Sequence, residues 1–339
     1  MTRRMVPPEI GLLELASGFM STHVVYTAAR LGIADVLANG PRSADDIAAD
    51  VGSNPDTTYR LLRACASVGV FREGADGRFE LTPLANALRS GTRDSMLPVI
   101  MMLGDPHYQG TWAQLPSTVA TGHPGTEAAL GMPLWDYVDD NPEFGATFSN
   151  AMTRLVALDW PAIESAYDFT QFSTIVDIGG GHGQLLALIL HAAPGAKGVL
   201  LERQAMLEEA EDLLRDAGVL ARCRTEAGSF FETAPTEGDL YVMRRVIHDF
   251  DDEQAAEILD TVRRHMPTGA ILLMLESVVP LGNAPHFAKS LDLDMMLFVG
   301  GRERTEQEFA TLLHRAGFRQ PRVIATASTL SIIEAVPGR

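Results

Sequence analysis

The sequence predicts an α/β protein: a doubly wound, mostly parallel sheet preceded by a helical, winged-helix-like module. Three observations carry that prediction. Short apolar runs alternate with helix-period segments through the second half of the chain. The first of those runs ends in an acid and a glycine-rich turn, Ile175-Val-Asp-Ile-Gly-Gly-Gly-His-Gly183. The first hundred residues follow a different order of helices and short strands.

In chain order, Ile10 to Leu37 has a helical pattern whose Leu12, Leu13, Leu15, Phe19 and Met20 exceed one narrow stripe. A helix apolar on several faces needs more than its own domain to cover it, so a homodimer is expected. Next come helices over Ser43 to Val51 and Asp56 to Val68, separated by Gly52-Ser-Asn-Pro55. Val70 to Leu81 then reads as two short strands around Ala75-Asp-Gly77. That order spells a winged helix and bounds a first domain at residues 1–100. A second domain covers 101–339, with 101–165, including Trp112, Trp135 and Trp160, as connecting and roofing helices.

The sheet begins at the run around Asp177, followed by a helix at Leu185 to Leu190. Gly179, Gly181 and Gly183 permit a sharp turn and a close ligand approach, and the helix start offers unpaired N–H groups. A second run, Ala196 to Leu201, ends at Glu202, where an acid accepts hydrogen bonds from a ribose diol. Gly238 to Ile247 ends in His248-Asp249, and Ala270 to Leu275 ends in Glu276. Ligands of open α/β sheets bind outside the carboxyl ends of the strands, so Gly179, Glu202, His248 and Glu276 are expected along one edge.

Helices fill the gaps at Gln204 to Ala217, at Asp252 to His265 behind Asp251 or Asp252 as N-cap, and at Thr305 to Ala316. There Thr305 and Glu308 form a capping box. Arg322 to Ala327 and Leu330 to Val336 read as a hairpin around Ser328-Thr329. Two ligands fit the turn and its distant acid: a nicotinamide dinucleotide and S-adenosylmethionine. Gln184 stands where the dinucleotide fingerprint wants Gly or Ala, and the reversed last strand suits a methyltransferase sheet, so the second is favoured.

A net charge of −17 opposes nucleic acid and anionic membranes. The module's second helix opens with Asp56-Thr-Thr-Tyr-Arg60, which has one basic residue, although a helix-turn-helix regulator is the rival reading from another class. Cys65 and Cys223 suggest reduced thiols, Met1 to Glu9 precede no signal-like core, and no apolar run is long enough for a bilayer, so a cytoplasmic protein is expected.

Taken in sequence, Val-Asp-Ile-Gly-Gly-Gly-His-Gly, Val-Ile-His-Asp-Phe-Asp-Asp-Glu, Leu-Glu-Ser-Val-Val-Pro and Gly-Gly-Arg-Glu-Arg-Thr resemble the successive motifs of the S-adenosylmethionine-dependent small-molecule O-methyltransferases, the plant caffeate-type and bacterial polyketide and hydroxyneurosporene-type enzymes. The likeness covers nearly the whole chain. It implies a class I, Rossmann-like methyltransferase fold, S-adenosyl-L-methionine as cofactor, no metal, and dimerisation through the N-terminal module. It implies His248 as general base with Glu276 and Glu303 holding its imidazole. Asp177, Gly179, Gly181, Glu202, Ser229, Phe230 and Arg244 would serve the cofactor, and Met152, Asp249, Met296 and Phe298 the acceptor. The family commonly has Asp at Ser229 and Lys at Arg244, and Ser149 and Asn150 depart from its usual order.

The chemistry suits these residue types. A sulfonium methyl is already activated, so an acceptor oxygen needs an in-line approach and a base for its proton, and histidine's ordinary pKa fits that task. Other readings of the same residues stay open: a relative that uses the cofactor for hydroxylation or decarboxylation, a helix-capping role for His248-Asp249, a solvated turn at Arg302-Glu303-Arg304, and core packing for Met295 and Met296.

Overall fold

The computed structural model describes residues 7–338; Met1 to Val6, part of the segment bearing on a leader, and Arg339 lie outside it. The chain divides into two compact units, residues 1–109 with 146–154, and 110–145 with 155–339.

In the first unit the long helical pattern is broken into Pro8–Ala16, Gly18–Arg30 and a single turn at Ile33–Val36. The first break falls at Ser17, whose hydroxyl bonds back to the carbonyls of Leu13 and Glu14. The second falls at Gly32, which takes the left-handed φ of 66°. The helices Ala44–Val51 and Pro55–Ser67 follow, capped by Ser43, which accepts from the Asp46 N–H, and by Asn54, which accepts from the Thr57 N–H. Strands β1 (Phe71–Glu73) and β2 (Phe79–Leu81) pair antiparallel, with Gly77 at φ 75° in their turn. Ile33, Leu37, Ile47, Leu62, Phe71 and Phe79 close this core.

The second unit carries a seven-stranded sheet: β3 (Thr174–Ile178), β4 (Lys197–Glu202), β5 (Cys223–Ala227), β6 (Leu240–Arg244), β7 (Ile271–Glu276), β8 (Arg322–Ala325) and β9 (Ser331–Ala335). The spatial order is β5-β4-β3-β6-β7-β9-β8. All neighbours run parallel except β9, which is antiparallel to β7 and to β8. The sheet is that of a class I methyltransferase, and the hairpin and reversed strand stand where the sequence put them.

Alternation along each strand feeds two cores. Val176, Tyr241, Leu272 and Ile333 meet Ile258, Val262, Phe309 and Leu313 on one face, while Ile175, Val242, Leu273 and Ile332 meet Leu186, Ile189, Leu190 and Leu214 on the other. The Asp251 cap on Asp252–His265 and the Thr305/Glu308 capping box on Glu306–Arg315 both form.

Strand order reverses between β3 and β6, which opens a crevice at their carboxyl ends. Two elements go beyond the sequence expectations. β5 is an edge strand whose Arg224 and Glu226 pair in the open, so no apolar run announces it. The helix Ala288–Phe298 has no side-chain cap. Among the described residues no helix is long and apolar enough to cross a membrane.

Candidate active site

At the end of β3 the chain turns through Gly179, Gly181 and Gly183, with φ of 65°, 56° and 76°. The Gly179 N–H donates to the Leu201 carbonyl (2.9 Å) and the Gly181 N–H to Glu202 Oε2 (3.0 Å), so the acid ending β4 is tied to the turn. A Cβ at Gly180 would stand 2.4 Å from Asp177 Oδ2, which leaves no room for a side chain; at Gly181 a Cβ would meet nothing within 4 Å. The turn is thus packed beneath and open above. A Cβ at Gly179 would approach Phe230 Cε1 at 3.3 Å, so that ring lies against the cradle. Asp177 is buried and its Oδ2 has no hydrogen-bond partner. Burial, and then the charge of Glu202, push its carboxyl up to about 7.

Ser229 and Arg244 are occupied within the protein. The Ser229 hydroxyl accepts from the Phe231 N–H (3.3 Å), and Arg244 Nη2 bonds Asp159 Oδ2 at 2.6 Å in a buried pair, leaving Arg244 Nε buried without a partner.

His248 sits in the 3₁₀ turn Ile247–Asp249 after β6 and is 5% exposed. Its Nδ1 lies 2.8 Å from Glu303 Oε1 and 3.9 Å from Glu276 Oε2, and its Nε2 lies 3.4 Å from Asp249 Oδ1. Glu276 Oε1 accepts from the Val246 and Ile247 N–H groups at 3.2 and 3.1 Å, holding the backbone that carries the imidazole. Burial pushes the His248 pKa down against the pull of the surrounding carboxylates, and it pushes Glu276 up, Glu303 up to about 7 and Asp249 up to about 7. The structure therefore gathers His248, Glu276, Glu303 and Asp249 from β6, β7 and the loop before the last helix, although they are distant in sequence.

Within Gly-Gly-Arg-Glu-Arg-Thr, where a solvated turn was an open reading, Gly301, Glu303 and Arg304 are buried while Gly300 and Arg302 are exposed. Arg304, 1% exposed, donates from Nη1 to the Ile247 carbonyl (3.0 Å), from Nη2 to the Phe250 carbonyl (2.9 Å) and from Nε to Asp252 Oδ1 (2.9 Å), so it clamps both ends of the His248 turn. The Arg302 N–H donates to the His248 carbonyl at 2.8 Å, and a Cβ at Gly301 would fall 2.0 Å from that carbonyl. Asp292 Oδ1 accepts from the Glu303 N–H at 2.9 Å. Gly301, Arg304 and Asp292 are missing from the sequence-based set. The first two lay in plain view inside a quoted motif, yet only Glu303 had a role that chemistry could name.

Met296 lies half-buried on the helix Ala288–Phe298, and Phe298 is buried near its end with its carbonyl accepting from Thr126 Oγ1 (3.3 Å). Met295 is half-buried too, and neither methionine is a member of the three buried clusters. Within the same unit Trp112 Nε1 donates to Asp294 Oδ1 (2.8 Å), which ties the segment around Trp112 to this helix. Met152 belongs to the N-terminal unit, on the helix Pro142–Ala166.

The chain matches the O-methyltransferase domain over residues 112–319 and the O-methyltransferase dimerisation domain over residues 13–91. It is 42% identical over 332 residues to the phenazine O-methyltransferase PhzM of Lysobacter antibioticus, covering 98% of this chain and 97% of that protein. The crystal structure of LaPhzM superposes with a TM-score of 0.93 at 42% identity, over 98% of this chain and 100% of the other. The O-methyltransferase NcsB1 from neocarzinostatin biosynthesis, solved with S-adenosylmethionine and 2-hydroxy-5-methyl naphthoic acid, superposes with a TM-score of 0.78 at 30% identity, over 94% and 96% of the two chains. These likenesses, to methyltransferases along nearly the whole chain, favour neither the other cofactor chemistries nor a DNA-binding regulator.

Proposed function

The chain belongs to the O-methyltransferase family, and from that premise we propose that this S-adenosylmethionine-dependent enzyme methylates a hydroxyl of an aromatic or polyketide-like small molecule, working as a homodimer with His248 as general base. The observation that carries the reading is the buried 2.8 Å contact between His248 Nδ1 and Glu303, at a strand end that shares its crevice with the glycine cradle.

The residues fit the cofactor. Glu202 supplies carboxylate oxygens for a ribose diol, Phe230 an aromatic face beside Gly179, and the open side of Gly181 a place where a ligand approaches backbone without a Cβ in the way. Asp177 Oδ2, buried and unpartnered, is an acceptor waiting for a donor. When bound, S-adenosylmethionine supplies a methyl carbon on a sulfonium, which leaves as the neutral thioether once the acceptor oxygen takes the methyl.

The protein's part is to hold and to deprotonate. Glu303 accepts a hydrogen bond from Nδ1–H and so fixes the tautomer in which Nε2 carries the lone pair. Asp249, at 3.4 Å, is too distant to occupy Nε2 firmly, so that nitrogen receives the hydroxyl proton as the C–O bond forms. The imidazolium that results is stabilised by Glu303 and Glu276, and burial keeps the imidazole neutral until then.

The test uses S-adenosylmethionine labelled with deuterium in its methyl group and a panel of hydroxylated aromatics. The expected product is heavier by one labelled methyl group, located on oxygen. Label on nitrogen alone, or no transfer to any phenol by protein that binds the cofactor, would overturn the reading.

A further inference from the structure

Glu303 keeps its carboxylate on Nδ1 of His248, and its own backbone is held from another element. Asp292 Oδ1, on the helix Ala288–Phe298, accepts from the Glu303 N–H at 2.9 Å. Glu303 is buried, and an N–H at that depth left without an acceptor costs about 1–3 kcal/mol.

The helix is anchored without this bond. At its start Lys289 Nζ donates to the Gly282 and Ala284 carbonyls (2.5 and 3.0 Å), and in its middle Asp294 accepts from Trp112 Nε1. At its end the Leu297 and Phe298 carbonyls accept from the Gly125 N–H (2.8 Å) and from Thr126 Oγ1 (3.3 Å). Fixed along its length, the helix is the frame, and Glu303 is what the Asp292 bond places. Met296, one turn beyond Asp292, shares its face and belongs to the set expected to meet the acceptor, so one element serves both the acceptor and the carboxylate behind the base.

We propose that Asp292 is a positioning residue for methyl transfer: by holding the Glu303 peptide to this helix it keeps the Glu303 carboxylate on Nδ1 of His248, and so keeps Nε2 free to take the acceptor's proton. The proposal rests on the general-base reading above and adds the residue that sustains it. Nδ1–H and Nε2–H are alternative neutral forms of one imidazole, chosen by which nitrogen finds an acceptor. Asp249 Oδ1 stands 3.4 Å from Nε2. When Glu303 turns away to relieve its stranded N–H, Asp249 is the acceptor that remains, and the proton moves to the nitrogen that catalysis needs empty.

The test reads the tautomer directly, by nitrogen NMR of protein isotope-labelled in its histidines and saturated with S-adenosylhomocysteine, the His248 signals being those lost in His248→Gln. The wild type is expected to carry the proton on Nδ1. Asp292→Ala should move it to Nε2 in most molecules. Asp292→Asn, which keeps an oxygen for the Glu303 N–H and loses the charge as Asp292→Ala does, should restore Nδ1. Turnover of the phenol that the wild type methylates fastest should fall about tenfold in Asp292→Ala, a part of the about 10²–10⁴-fold that a positioned base contributes, and the deficit should shrink at a pH where phenolate forms unaided. Asp249, Glu276, Arg244, Arg245 and Arg304, whose charges also act on His248 or Glu303, are the same in every variant. An Asp292→Ala protein that keeps the proton on Nδ1, or an Asp292→Asn protein no better than Asp292→Ala, would overturn the proposal and leave the base reading standing. A wild type with its proton on Nε2 would overturn the base reading and the proposal together. If Asp292→Ala fails to fold, Asp292→Glu decides: it keeps the charge and displaces the oxygen by one methylene, so it should lose the Nδ1 form, and keeping that form would overturn the proposal.

Discussion

The two units treat water in opposite ways. The sheet unit hides charge: Asp177, His248, Glu276, Glu303 and Arg304 are all at most 5% exposed. The N-terminal unit shows its apolar side: Leu12, Leu13, Leu15, Phe19 and Met20 are each more than half exposed, and the helix Pro8–Ala16 buries none of its residues. Both reverse the ordinary partition of a folded chain. The reversals differ in what would cure them. Buried charge is tolerable when its partners are fixed and a ligand completes the set, whereas an exposed apolar helix is cured by another apolar surface, which the dimerisation domain identifies as the business of this region.

The largest expected effect falls on the hidden side. His248→Gln should lower turnover about 10²–10⁴-fold at saturating cofactor, with cofactor affinity nearly unchanged, because the imidazole acts on the proton and not on the sulfonium. The pH profile gives the sign. Burial lowers the His248 pKa, so wild-type turnover should hold level through neutral pH and fall only below the ordinary histidine range. The variant should instead gain with rising pH on a phenolic acceptor as phenolate forms unaided. Near-wild-type turnover at neutral pH would remove His248 from the chemistry and leave it as part of the turn.

On the exposed side, replacing Leu12 and Leu15 together by Asp should weaken self-association by about a hundredfold or more, since each buried leucine contributes about 1.5–3 kcal/mol at an apolar contact. Light scattering across a dilution series checks this. An unchanged dimer would shift the contact to other exposed groups, and a monomeric wild type would end the homodimer reading.

How far either region was legible follows from the kind of signal it sends. Strands β3, β4 and β7 are apolar runs ending at the Asp177 turn, Glu202 and Glu276, and β6 leads into the turn that carries His248; both the runs and the polar residues after them are visible without a structure. β5 was invisible because an edge strand needs no apolar run. The breaks at Ser17 and Gly32 were hidden inside a pattern whose periodicity survives a bend. Around His248 the proton-handling residues could be named by chemistry, whereas Gly301 acts through space it leaves empty and Arg304 through backbone carbonyls. Neither is a property of residue type. Arg245 was unreadable for the same reason, since its positive φ of 52° is a fact of conformation.

Arg304 offers a smaller test of the hidden side. Arg304→Met strands the carbonyls of Ile247 and Phe250, and it should destabilise the protein by about 1–3 kcal/mol. It should also reduce turnover about tenfold without the pH dependence of His248→Gln, because a misplaced imidazole still takes a proton. A turnover loss that grows on the acid side would instead make Arg304 a regulator of the His248 charge.

The smallest expected effect, and the sharpest on the comparison, concerns Asp177. Its folded pKa of about 7 lies above the ordinary carboxylate value, chiefly through burial and then through Glu202. The folded state therefore holds the Asp177 proton more tightly than the unfolded chain does. That contribution is fully present below about pH 4 and is lost as pH rises toward 7. Asparagine cannot ionise and keeps what the acid loses. Without ligand, Asp177→Asn should melt about 5 °C above the wild type at pH 8, with the gap closing toward pH 4. Glu202→Gln should narrow that gap by removing the second cause. Cofactor affinity should fall in Asp177→Asn at the same time, which would show that the acid is buried for the ligand at the expense of the free protein. A variant that melts lower than the wild type by the same margin at pH 8 and pH 5 would mean that the carboxylate serves the fold, and the parallel between a charge awaiting a ligand and a helix awaiting a partner would not extend to this residue.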